Sequence, residues 1–323
     1  MQISGGVHLS GGVNLVPGSG SPTPSGGGFQ GSNFGYTSGG TLSTNARVNT
    51  IDKFSFSSDG NATDVGDLTV ARRNLAGQSS TTNGYSSGGY APGGYVNTID
   101  KFAFASDGNA TDVGDLSQNR ESPAGQSSTD SGYTSGGISP APTSTETIDK
   151  VPFASGGNAT NVGELTQARF LTTGQSSSAS GYTSGGTSPI GANSDTIDKF
   201  PFSSDANATD VGNLTSVNYG LTGQSSSVSG YISGGYYNGS PSNLTAIDKF
   251  PFASDSNATN VGDLTYKRYG AAGQSSTLSG YTSGGVEPNR LDLIDKFPFA
   301  SDSDATDVGD LSEARGSAAG QQY

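Results

Sequence analysis

Residues Ile247–Thr265 read IDKFPFASDSNATNVGDLT. Taken once, the stretch has the look of a site, with an acid beside a base, Asp and Asn at alternate positions, and an Asn-Ala-Thr sequon. It is not unique. Ile-Asp-Lys begins at Ile51, Ile99, Ile148, Ile197, Ile247 and Ile294, and the Tyr of a Gly-Tyr-x-Ser-Gly-Gly phrase falls at Tyr36, Tyr85, Tyr133, Tyr182, Tyr231 and Tyr281. Six copies at a spacing of 47 to 50 residues make this a repeat protein, because self-similarity at such a period marks stacked or radial supersecondary units.

Each unit carries four short strand-like pieces: Ala/Thr-Gly-Gln-Ser-Ser, Gly-Tyr-Thr-Ser-Gly-Gly, Ile-Asp-Lys-Phe-x-Phe and Ala-Thr-Asp-Val-Gly-Asp-Leu-Thr. Turn residues separate them. No window shows an i, i+3, i+4 apolar face, so helix is nearly absent. Four strands per unit of this length is the measure of a propeller blade. The predicted fold is therefore all-β, a six-bladed β-propeller over residues 35–323 preceded by an extended Gly/Ser-rich leader, residues 1–34.

The unit resembles a kelch repeat. A strand ends in a Gly-Gly doublet, as in Tyr85-Ser86-Ser87-Gly88-Gly89; an Ile-Asp-Lys-Phe strand, a polar turn and a Val-Gly-Asp-Leu strand follow; and an Arg comes a few residues later, at Arg72, Arg120, Arg169, Arg268 and Arg315, with Asn218 in the fourth unit. The chain departs from kelch in having Val65, Val113 and their counterparts where the fourth strand has Trp, and no Trp anywhere. The turn Ser57-Ser58-Asp59-Gly60-Asn61-Ala62-Thr63 also looks like the Asp-box turn of sialidases. More closely in wording, the units and the Ser-Gly-Gly-Val leader resemble the Ile-Asp-Lys-Phe-Pro-Phe repeats of virion proteins from cyanophages and related aquatic phages. That likeness implies a virion structural protein of tail or fibre type.

The six copies act as internal controls, since a residue needed in every blade holds the blade and a unique function belongs where the copies differ. Period-2 alternation puts Ile51 and Lys53 on one face of their strand and Asp52, Phe54 and Phe56 on the other, both faces packing on neighbouring blades. Lys53, Lys101 and the other four repeated lysines are expected to satisfy carboxylates such as Asp52, Asp67, Asp100 and their counterparts. Arg72 and Arg120 are read as structural in the same way. The Asp-x-Asn-x-Thr turn has three readings. Calcium ligation lacks the Gly at the sixth position and the distant Glu of an EF-type loop. N-glycosylation fails in the sixth copy, which reads Asp304-Ala305-Thr306. Asp and Asn side chains capping a tight turn account for all six.

Composition removes other classes. There is no cysteine, one histidine, and a formal charge of −13 with no basic tract, which argues against thiolate or His-cluster metal sites, cofactors, nucleic acid and anionic membrane as partners. No stretch reads as a signal peptide or membrane span, so synthesis in the host cytoplasm without Sec export and residence in the virion are expected. A copper oxidase would need Cys and several His, and the repeated arginines have a structural explanation that a sialidase would not need. The protein is expected not to be an enzyme.

The final copy stops at Ala319-Gly320-Gln321-Gln322-Tyr323, a first strand without a blade after it, and the first copy begins at a second strand. Either the C-terminal strand 319–323 or the segment Gly28 to Phe34 closes the ring; the C-terminal solution is the more economical. The leader holds a hexapeptide echo around Ile3, Val7, Leu9 and Val13, then Leu15 and a Pro/Gly/Ser linker, and is expected to anchor the ring to other virion proteins by strand addition. Second-to-third and fourth-to-first connections share one face and are the segments that vary. Tyr90, Tyr95, Tyr219, Tyr236, Tyr237, Asn238, Tyr269 and Arg290 on that face suit recognition of host-surface glycan or protein. A bacterial extracellular or fibril-forming adhesion module is the alternative.

Overall fold

The computed structural model describes residues 30–140, 143–237 and 244–323. The leader residues Ile3, Val7, Leu9, Val13 and Leu15, and Asn238 in the fifth blade, lie outside them. Six sheets of four antiparallel strands are set around a ring, a six-bladed β-propeller. In the second blade the strands run Ala76–Ser79, Asn83–Ser87, Thr98–Ala103 and Thr111–Asp115 from the centre outward. The first-to-second turn is tied by Ser80, whose hydroxyl accepts the N–H groups of Thr82 and Asn83. The third and fourth strands slip register between Asp112 and Gly114, a bulge where Gly114 takes a φ of 151°. A Cβ there would run into the Gly157 carbonyl of the next blade, so the close approach requires glycine.

The first blade is completed by the end of the chain. Ala319–Gln322 pairs with Phe34–Ser38, and the sheet continues through Thr50–Ser55 to Thr63–Asp67. Gln321 locks this closure: its Nε2 donates to Ser38 Oγ, Ser86 Oγ and the Tyr85 carbonyl, each at 3.0 Å. Gln126 makes the same net to Ser135, Thr183 and the Tyr182 carbonyl.

Alternation along the third strand sends its residues to opposite seams. Ile51 packs with Tyr36 and Leu68 against Phe102 and Phe104 of the second blade, while Phe54 and Phe56 pack on Tyr281, Ile294 and Leu311 of the sixth. Each second-strand Tyr stacks on a Phe of the next blade, as Tyr133 does on Phe202 at 4.8 Å and 24°. Fully burying such a side chain is worth about 1.5–3 kcal/mol, and the ring pair adds roughly 0.5–1.5.

The polar repeat positions cross the seams too, and two expectations need correcting. Lys53 does not pair with Asp52 or Asp67. Its Nζ lies 2.9 Å from Oδ1 of Asp107, in the third-to-fourth turn of the next blade, and Lys150, Lys199, Lys249 and Lys296 reach Asp205, Asp255, Asp302 and Asp59 alike. The reason is the pleat, which points Asp52 to the other seam, where Arg315 takes it at 3.0 Å. Lys101 forms no ion pair because Gly156 stands where the other turns have Asp. The turn Asn also serves a neighbour rather than its own turn: Asn61 Oδ1 accepts the Asp310 N–H at 3.1 Å, and Asp304 accepts that of Asp263 at 3.0 Å. A carboxylate oxygen does this as well as an amide oxygen, which explains Asp in the sixth copy.

Arg72, Arg120, Arg169, Arg268 and Arg315 are buried and paired with Asp100, Asp149, Asp198, Asp295 and Asp52 of the following blade. Burial lowers the pKa of each guanidinium and the facing carboxylate opposes that. Asp100 is further held by the N–H and hydroxyl of Thr69 at 2.9 and 2.7 Å, and Arg72 donates to the Ser86 carbonyl at 2.9 Å.

At the centre, a Cβ on Gly77 would meet the Gly320 carbonyl, and Gly125, Gly174, Gly223, Gly273 and Gly320 each abut the preceding glycine in the same way. Above them runs a collar of six residues in the left-handed region, Asn74, Ser122, Leu171, Gly220, Gly270 and Ser317, with φ from 54° to 64°. Each donates its N–H to the carbonyl of the one before it at 2.6–2.9 Å, and Asn74 closes the circle on Ser317.

Candidate recognition face

The variable segments are brought together in pairs. The fourth-to-first turn leaving one blade bridges to the second-to-third loop of the next, as Arg73 to Tyr90, Glu121 to Ile138, Phe170 to Thr187, Tyr219 to Tyr236 and Tyr269 to Val286. Gly316 pairs with Thr41 at the junction of last and first units. Tyr90 and Arg73 exchange backbone hydrogen bonds at 2.8 and 3.2 Å, so side chains from two units stand side by side on one face.

Two aromatic groups result. Tyr236 lies between Tyr219 at 5.1 Å and Tyr269 at 5.6 Å, the second contact edge-on. Tyr90 and Tyr95 meet edge to face at 5.1 Å. The first group centres on the fifth blade and the other on the second, so they occupy opposite sides of the six-bladed ring. Burial, followed by Tyr236 and Tyr269, pushes up the Tyr219 hydroxyl; burial, followed by Glu121, does the same for Tyr95. Both therefore keep their protons at neutral pH and can donate. Tyr237 is exposed at the rim. Arg290 joins neither aromatic group and donates instead to Asn45 Oδ1 at 3.1 Å.

The sequence reading left Arg47 out. It lies 4.7 Å above the Tyr90 ring, with Arg73 over the same ring at 5.3 Å. The available signal was that Arg47 is a cation outside every repeated position.

Among the described residues no group of three or more acidic or histidine side chains is placed to hold a metal. The five repeated arginines and five of the six repeated lysines are paired across seams. The centre of this face is a shallow depression inside the collar, ringed by Leu75, Pro123, Thr172, Leu221, Ala271 and Ala318. The collar amides and carbonyls are engaged with each other and present nothing to a ligand at that level.

No family model matches the chain, and no curated protein does. The likeness to phage virion repeats thus has no support beyond the wording of the sequence.

The opposite face, whose first-to-second turns differ at Thr82, Asp130, Ala179, Val228 and Leu278, carries Gln30. Gln30 Nε2 donates to the carbonyls of Ser225 and Ser276 at 3.3 Å, and the Gly31 N–H donates to Ser275 at 2.8 Å, all at the ends of first strands. Residues 30 and 31 thus lie against the fifth and sixth blades on the side away from the variable loops.

Proposed function

We propose that the protein is a non-enzymatic phage virion protein, a propeller joined through its N-terminal segment to tail, fibre or head and turning its variable loops outward to bind host-surface glycan or protein. The fold fits a binding or structural module, and one observation carries the finer reading: the ring is polar. Gln30 lies on one face, while the variable loops and tyrosine groups are on the other. A module built to be held on one side and to bind on the other needs this arrangement.

The reading is tested in particles. Antibody labelling should find the protein on virions, and deletion of residues 1–20 should leave a folded ring that no longer joins them. Incorporation of the deleted form at the normal level would remove the anchoring role. Replacing Tyr219, Tyr236 and Tyr269 by Ser should leave incorporation intact and lower adsorption to host cells; unchanged adsorption would detach recognition from this face.

A further inference from the structure

The chain has fifteen lysines and arginines against twenty-eight acids. Five arginines and six lysines are repeat positions. The four that remain, Arg47, Arg73, Lys267 and Arg290, all lie in second-to-third loops or fourth-to-first turns, hence on the variable face. They also share one sector. Lys267 pairs with Glu287 at 3.0 Å in the loop that carries Arg290, Arg290 reaches Asn45 of the first blade, and Arg47 from that same loop covers Tyr90 of the second, with Arg73 beside it.

The sector carries four carboxylates as well, Glu121, Glu287, Asp292 and Glu313, but among the described residues none pairs with Arg47 or Arg290. Glu121 lies 4.0 Å from Arg73 Nε and accepts the Asn74 amide at 2.8 Å, and Glu287 is taken by Lys267. Arg290 has only a neutral amide oxygen. Among the described residues Arg47 has no hydrogen bond or ion pair from its guanidinium, which lies over the Tyr90 ring. In an acidic protein, holding the Arg47 guanidinium half-buried against a tyrosine without a counter-charge has a cost that an incoming anion offsets.

We infer that the sector from Arg290 through Arg47 and Tyr90 to Arg73 binds an acidic saccharide, with Arg47 taking its carboxylate or sulfate. This rests on the recognition reading above and names the ligand class. The planar guanidinium, oriented by the Tyr90 ring, presents paired N–H donors matched to an oxyanion. Tyr95 and the Asn45 amide supply the apolar and hydrogen-bonding contacts a pyranose requires. Spacing of charge selects against nucleic acid: three arginines in a chain of net charge −13 can meet one isolated oxyanion per sugar, whereas a dense phosphate backbone is repelled by the rest of the surface.

The test uses the full chain on surfaces bearing polygalacturonate, dextran sulfate, unmodified dextran and duplex DNA. Binding to one or both acidic polysaccharides, weakened by salt, is expected, and the stronger of the two identifies carboxylate or sulfate. R47Q and R73Q should each lower that affinity about tenfold, the value of a charge-assisted hydrogen bond. K101Q removes an equally unpaired cation away from the sector and should change nothing, and melting curves establish that all three variants fold. Acidic polysaccharide binding indifferent to R47Q and R73Q overturns the site, and preference for DNA overturns the ligand class. Binding to unmodified dextran alone overturns the inference while leaving glycan recognition by this face standing. Absence of binding to all four also overturns it, and particle incorporation decides the anchoring role separately.

Discussion

Arg72 Nη1 lies 2.9 Å from Asp100 Oδ2 with both side chains wholly buried, and the relationship recurs at every seam of the ring but one. Buried ion pairs of this kind add little over an apolar substitute but are costly to break, because the surviving partner is left charged in a place water does not reach. R72A should therefore lower unfolding free energy by about 3–5 kcal/mol, measured by urea denaturation. A loss under ~1 kcal/mol, the level of an exposed pair, would show that the seam relaxes to admit water.

The exception is the seam between the fourth and fifth blades, where Asn218 replaces the arginine. Asp248 Oδ2 accepts the N–H and hydroxyl of Thr215 at 3.1 and 2.6 Å, but its Oδ1 and the Asn218 Oδ1 have no partner. Ile232, which takes the place of Thr or Ser in the other blades, joins the apolar cluster there. Burial raises the Asp248 pKa above the ordinary carboxylate value, opposed by the Thr215 hydrogen bonds. A raised folded-state value means that the fold binds the proton more tightly than the unfolded chain does. The contribution to stability is thus fully present below the unfolded pKa and is lost as pH rises through the folded one. D248N should remove this slope and stabilise the protein at neutral pH by about 1 kcal/mol, with the difference fading in acid. Melting temperature against pH for the two proteins checks it; an equal or lower value for D248N at pH 7 counts against a buried unpaired charge.

Ring closure depends on five residues. Removing 319–323 takes away the first strand of blade one and exposes the edge of Phe34–Ser38. The truncated chain should lose its single cooperative transition and associate through the bare edge, seen by light scattering. Q321A keeps the strand and removes only its side-chain hydrogen bonds, three donated by Nε2 and one accepted by Oε1 from Ser38, so it should not associate and should lose about 1–3 kcal/mol.

Leu171 occupies the collar with a φ of 54°, where two other units place glycine at Gly220 and Gly270. L171G should relieve the cost of a left-handed Leu and raise stability by about 1 kcal/mol. A decrease would mean that the Leu side chain contributes more than its backbone costs.

Much of the fold was legible because six copies of one unit separate what is required from what is free. Strand count, the facing of Ile51 and Phe54, and the shared face of the variable loops all follow from period and pleat. The partners of Lys53 and Asn61 did not, because both reach across a seam, Lys53 to Asp107 in the next blade and Asn61 to Asp310 near the far end of the chain, and near-identical units make the choice between own blade and neighbouring blade invisible in the sequence. Arg47 escaped for the opposite reason: a residue that occurs once has no internal control, and only the approach of two blades sets it over Tyr90.

The six-membered collar and the shared first blade also constrain how such a gene can change. Nearly identical tandem units invite unequal recombination, which adds or deletes a whole repeat. Here the last strand, Ala319–Gln322, shares a sheet with the first three of the ring, and the collar closes on itself with each amide answering the carbonyl before it. A gain or loss of one unit keeps the strand pairing at the ends but demands a collar of five or seven, with every hydrogen bond re-angled and the packed glycines beneath it parted or crushed. Exchange of one repeat for another keeps the count. Such an exchange can move a loop to an equivalent unit and leave the circumference fixed.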